Sequence, residues 1–84
     1  MHESRVVADL MRRVEEASRG AGRVSSLRVR VGALAGVTPD ALRHGVGHYA
    51  EDRWGYSPDV VVEQSVDPTD PDALGVRLVS VKVV

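Results

Sequence analysis

The chain has no cysteine. Disulfides, thiolate zinc sites and thiol nucleophiles are therefore excluded together, and any metal site must be built from nitrogen and oxygen donors. Phenylalanine is also missing, so Tyr49, Trp54 and Tyr56 are the whole aromatic complement and the core must be aliphatic. Charge of one sign is lacking too: 11 Lys and Arg stand against 12 Asp and Glu, a formal net charge of -1. Without a basic surface to neutralise phosphates, neither nucleic acid nor an anionic membrane is the expected partner. No apolar run approaches the roughly 20 residues of a membrane-spanning helix, and the charged start lacks the apolar region of a secretory signal. The expected compartment is the cytoplasm. Catalytic signatures are absent as well. There is no G-x-S-x-G elbow and no H-E-x-x-H, and "GALAG" is too short for a phosphate-binding loop and carries no lysine. With no nucleophile–base arrangement in view, an enzyme is not expected.

What remains is a small aliphatic domain. At 84 residues, 43% of them apolar and 27% charged, the chain has a globular composition. Only about 60–65% of the surface of an unfolded chain this size can be buried, enough for one modest core. Val6, Val7, Leu10, Met11, Val14 and Ala17 recur at three- and four-residue steps, which predicts a first helix with Ser4 as N-cap. Gly20 and Gly22 of "RGAG" suit its end. In "VSSLRVRVG", Leu27, Val29 and Val31 alternate with Arg28 and Arg30, the period of a strand with one buried face and its arginines toward solvent. After the turn-rich "GALAGV", "TPDAL" opens a second helix: Thr38 as N-cap, Pro39 at the first helical position, Asp40 at the positive end of the dipole. Its stripe is Leu42, Val46 and Tyr49. Gly45 and Gly47 each cost up to about 1 kcal/mol relative to alanine, so tertiary packing must hold this helix. A second strand is expected over Val60 to Val66, then a turn-rich link over 67–75, "DPTDPDALG". The closing "VRLVSVKVV" is a third strand whose apolar phase slips at Val79-Ser80, where a β-bulge keeps both halves facing the core.

These elements predict an α+β, two-layer fold: a three-stranded mixed β-sheet with two α-helices on one face, in the order α-β-α-β-β, forming a single domain over 1–84. The first two strands, linked through a helix, are expected to be parallel. The last two, joined by a link too short for a crossover helix, are expected to be antiparallel neighbours.

Three groups of residues bear on chemistry. In Met1-His2-Glu3, the α-amine, the following amide nitrogen and the His2 imidazole can close fused chelate rings around one ion and present three nitrogens in a plane. Glu3 completes the square through its amide nitrogen or its carboxylate. Nitrogen-rich square-planar coordination favours Ni(II) or Cu(II) over Zn(II) or Mg(II). His44 and His48 form an i, i+4 pair on one helix face near Glu51, a spacing able to chelate a metal, with no evident third ligand and solvent as the ordinary destination. Arg28, Arg30 and Arg77 line the open face of the sheet, either as its ordinary solvated covering or as a surface for an acidic partner.

Taken in order, "MHE", "RVSSLRVRVGALAGVTPDAL" and "VRLVSVKVV" resemble the opening, the first strand with its turn and second-helix start, and the closing strand of the HypA/HybF family of hydrogenase nickel-incorporation proteins. The likeness runs from Met1 to about Leu42, weakens through Val66 and returns from Val76. It implies a cytoplasmic nickel metallochaperone that hands Ni(II), as transient cargo, toward NiFe-hydrogenase. The implied partners are a HypB-type GTPase, the hydrogenase large subunit and, in some bacteria, urease maturation factors. The family's nickel site carries over onto the Met1 amine, the His2 imidazole and backbone nitrogen, and Glu3. Departures are plain. A zinc domain with two C-x-x-C pairs is inserted in the family between the last two strands, where this chain has only the loop 67–75, so no structural zinc is expected. His44 and His48 stand where the family usually has apolar or aromatic residues, and Ala33 where an acidic residue is common. The rival reading is a metal-independent interaction module that keeps the fold and docks on a hydrogenase subunit or maturation factor.

Overall fold

The computed structural model describes residues 3–84, with side chains from residue 4 onward. Two helices and three strands follow in chain order: α1 (Glu3–Ala17), β1 (Val24–Val31), α2 (Pro39–Trp54), β2 (Asp59–Gln64) and β3 (Val76–Val83). The fold is the expected α+β arrangement, a mixed three-stranded sheet with two helices.

Each element follows from its sequence. Val6, Val7, Leu10, Met11 and Val14 bury one side of α1, while Ala17 at its end is exposed. The helix is already formed at Glu3, so Ser4 lies in its first turn rather than at the N-cap; an apolar stripe sets a helix's phase but not its first residue. Gly20 and Gly22, both at positive φ, turn the chain into β1. Thr38 caps α2 as read: its backbone is extended and its hydroxyl accepts from the Ala41 amide at 3.1 Å. Thr38→Ala is expected to lower stability by about 1 kcal/mol in urea denaturation. Gly55 ends α2 in the left-handed conformation and donates its amide to the Glu51 carbonyl.

Leu27, Val29 and Val31 of β1 are almost wholly buried, against Val14, Leu42 and Val46 of the helices. A side chain of this size contributes about 1.5–3 kcal/mol on full burial. Gly45 fits the same packing. A β-carbon there would sit 2.6 Å from Val7 Cγ2, so the residue that weakens α2 as an isolated helix is the one that lets α1 approach it.

Strand order departs from expectation. The sheet runs β2-β1-β3, with β1 parallel to β2 and antiparallel to β3. The last two strands are therefore not neighbours; they flank β1. The link between them crosses the end of β1 instead of turning back: the Ser65 amide donates to the Val31 carbonyl at 2.9 Å, and the Gly32 amide to the Gly75 carbonyl at 2.9 Å. This puts the most deeply buried strand in the centre, where both of its edges are paired. β2 also ends at Gln64 rather than Val66, because the chain leaves the sheet after Ser65 and Val66 is 90% exposed. In β3 the bulge falls where the phase slips. Arg28 pairs with Ser80 and Val29 with Leu78, leaving Val79 without a partner across the ladder. Val76, Leu78, Val81 and Val83 consequently all pack toward the core.

The 67–75 loop folds back on itself through three turns, closed by Asp70 N to Asp67 O, Ala73 N to Asp70 O and Gly75 N to Asp72 O. The Asp67 carboxylate accepts from both the hydroxyl and the amide of Thr69, which holds it below the usual carboxylate value. Ala73 is buried, and its carbonyl accepts the Leu34 amide at 2.8 Å. Gly32 lies directly under this loop: a β-carbon on it would collide with the backbone of Asp72 and Ala73.

Candidate functional site

Of the Met1-His2-Glu3 segment, Met1 and His2 lie outside the described residues, and Glu3 opens α1. Just past the first turn of α1, Val7 lies against Gly45 of α2. Ser4 and Val7 from α1 line a cleft of about 480 Å³ with Gly45, His48, Tyr49 and Asp52 from α2. The chain therefore enters α1 beside an imidazole and a carboxylate of the second helix. Spacing within α2 gives no hint of this, since it depends on how α1 crosses it.

His44 and His48 are exposed on the outer face of α2, opposite Leu42 and Val46. Their rings meet edge to face with centroids 4.5 Å apart, and the two Nε2 atoms are 3.1 Å apart. They border a second, shallower cleft of about 240 Å³ with Arg43, Gly47, Glu51 and Ser57. Among the described residues, no group of three or more His, Cys, Asp or Glu is placed to hold a metal ion.

All three aromatic side chains gather at the far end of α2. The Glu15 carboxylate of α1 accepts the Tyr49 hydroxyl at 3.2 Å on one oxygen and the Trp54 indole N–H at 3.1 Å on the other. Arg23 lies over the Tyr56 ring, 3.8 Å from its centroid, while the Tyr56 hydroxyl accepts the Val24 amide. This clamp ties α1 to α2 and escaped the sequence reading, because Glu15 and Tyr49 are 34 residues apart and neither carries a local sign of the other.

Tyr49 ionises above its ordinary 10.0, chiefly because burial disfavours the phenolate, with the neighbouring Glu15 charge adding to it. The folded chain thus holds this proton more firmly than the unfolded one. The associated stability is fully present below pH 10 and is lost as pH rises through the higher folded value. Tyr49→Phe is expected to cost about 1 kcal/mol at neutral pH, the worth of one hydrogen bond. In urea denaturation that deficit should shrink above pH 10; curves that stay parallel would contradict the assignment.

On the open face of the sheet, the arginine row already has partners. Arg28 meets Glu63 at 2.9 Å, Arg30 meets Asp70 at 3.6 Å and Arg77 meets Asp72 at 3.5 Å. Two of those carboxylates come from the 67–75 loop. Exposed pairs of this kind contribute about 0–1 kcal/mol each, so they cover the face more than they stabilise it.

No helix among the described residues is long and apolar enough to cross a membrane. No curated protein matches the chain. A sequence model of the family described as "Hydrogenase/urease nickel incorporation, metallochaperone, hypA" matches residues 1–66, from the first residue to just past β2. That span takes in α1, β1, α2 and β2 and leaves out the 67–75 loop and β3. A match over so much of the chain, on elements that pack into one core, shows that the chain belongs to the HypA family of nickel-incorporation metallochaperones.

Proposed function

We propose that this chain binds Ni(II) through the Met1 amine, the His2 imidazole and backbone nitrogen, and Glu3, and delivers it to NiFe-hydrogenase in the cytoplasm. A HypB-type GTPase and the hydrogenase large subunit are its partners, with urease maturation factors as further ones. The observation that carries this reading is the family match beginning at residue 1, which includes the nitrogen-rich opening itself. Fused chelate rings and planar nitrogen donors suit Ni(II) and disfavour Mg(II). Delivery is ligand exchange: the protons that nickel displaces from the amine, the amide and the imidazole on loading return when the ion leaves, no bond between heavy atoms of the protein is made or broken, and no catalytic residue is needed.

The 67–75 loop stands where the family's zinc insertion would be, and we assign it a purely protein-held structure. Its turns, the buried Ala73 and the Arg30–Asp70 and Arg77–Asp72 pairs supply the order that a zinc ion supplies elsewhere. The rival reading, a metal-independent interaction module that docks on a hydrogenase subunit or maturation factor, draws no support from the arginines of the open face, each of which already meets a carboxylate of this chain.

Nickel-loaded chain, mixed with a nickel-free hydrogenase large subunit and the GTPase, is expected to pass its metal on, as read by metal analysis of the repurified subunit. The same chain extended by several residues ahead of Met1 has no free amine at that position and should neither load tightly nor transfer. Loading and transfer by the extended chain would remove the amine from the site, and failure of transfer by the loaded native chain would contradict delivery. Nickel must displace protons from an amine that normally titrates at about 7.7–8.0 and an imidazole at about 6.5, so loading should strengthen as pH rises through this range.

A further inference from the structure

We propose that His44 and His48 form a second metal site, a two-imidazole chelate on the outer face of α2 for Ni(II) or a neighbouring late first-row divalent ion. It does not rest on the N-terminal reading.

The separation of the two nitrogens carries the case. With metal–nitrogen bonds of about 2.0–2.1 Å, two ligands at a right angle lie about 2.9 Å apart and two at the tetrahedral angle about 3.3 Å apart. The observed Nε2–Nε2 distance of 3.1 Å falls between these values. Little rearrangement is therefore needed to seat an ion between the rings. Both side chains are exposed, so an ion can reach them and water can complete its coordination. A hydrogen bond across the contact requires one donor and one acceptor nitrogen. The metal takes the place of that hydrogen, the donor ring passing to its Nδ1–H tautomer so that both Nε2 lone pairs face the ion.

The surroundings favour a cation. Glu51, one turn beyond His48, lines the same cleft, and Asp52 borders His48 on its other side. The one basic wall, Arg43, is engaged elsewhere: its guanidinium contacts Asp40 at 3.3 Å and the Val60 carbonyl at 3.4 Å. Imidazole donors select nickel, copper and zinc over magnesium and calcium. Two donors bind more weakly than a fused set of three or four, so this site should fill after the N-terminal one. His48 also borders the cleft that Ser4 lines, which places the chelate on the flank where the chain enters α1.

His2, His44 and His48 are the only histidines of the chain, so their ring resonances can be assigned by substitution alone. The test is a titration of NiCl₂ into His2→Ala protein, followed by the paramagnetic broadening of the two remaining imidazole signals. Both signals should broaden together in the His2→Ala protein. Adding His44→Ala or His48→Ala should weaken the residual affinity by at least about the 10- to 100-fold that loss of even an outer-shell partner costs. If excess Ni(II) leaves both imidazole signals of the His2→Ala protein sharp, the second site does not exist. Both side chains are exposed, so neither substitution threatens the fold. Failure of the N-terminal site reads differently: the native and His2→Ala proteins would then bind Ni(II) alike, while the His44 and His48 substitutions still removed that binding.

Discussion

Gly32→Ala is expected to destabilise the fold by about 2–3 kcal/mol, the upper part of the usual range for forcing an extra carbon into a packed site. The added β-carbon meets the backbone of Asp72 and Ala73 rather than the movable end of a side chain, so relief requires the loop to shift. Lifting the loop weakens the hydrogen bonds from Gly32 to Gly75 and from Leu34 to Ala73, uncovers Ala73 and separates Arg30 from Asp70. The amides of Gly32 and Leu34 should therefore exchange faster with solvent, while those of the central α1 and α2 turns follow only the global loss of stability. Stability equal to the native protein's, with both amides still protected, would mean that the loop is not seated on Gly32. The outcome matters beyond one residue, because Gly32 is where the 67–75 loop meets the end of β1.

Some of this architecture is legible residue by residue. The alternation of Leu27, Val29 and Val31 with Arg28 and Arg30 identifies a half-buried strand, and Thr38-Pro39-Asp40 identifies a helix start, because both signals are local and their physics needs no distant partner. The slipped phase at Val79-Ser80 likewise locates the bulge. Strand order is different. The length of the 67–75 link suggests a return hairpin, yet β3 pairs with β1, because the decisive factor is which strand has two edges to bury. Gly45 reads as a weakness of α2 until Val7 is seen packed against it. The carboxylate of Glu15 reads as a solvated helix face until Tyr49 and Trp54 reach it from the other helix.

For the candidate site, the i, i+4 spacing puts His44 and His48 on one face, but only their rotamers show that the two Nε2 atoms meet. The arginine row is evident in β1, whereas two of its acidic partners come from a loop whose path spacing does not reveal. The nickel assignment of Met1-His2-Glu3 rests on family likeness, and two of its three residues lie outside those described.

The second large effect concerns the opening itself. Removing the His2 imidazole takes away one nitrogen of the plane and breaks a fused chelate ring, leaving the amine and backbone nitrogens with one fewer anchor. The loss of nickel affinity should be at least about 100-fold, the upper end of what is lost when even an outer-shell partner is removed from a metal site. That factor corresponds to about 2.7 kcal/mol. The first buried side chain among the described residues of α1 is Val6, so the melting behaviour of the metal-free protein should be unchanged. A fall in affinity accompanied by a fall in metal-free stability would point to a structural role for His2 instead.

The most direct test is a calorimetric titration of Ni(II) into untagged native and His2→Ala chains at the same pH. The native chain should show a tight binding event that the His2→Ala chain lacks, with only the weaker binding of the His44–His48 pair remaining. Equal tight affinity in the two proteins would contradict a nickel site at Met1-His2-Glu3.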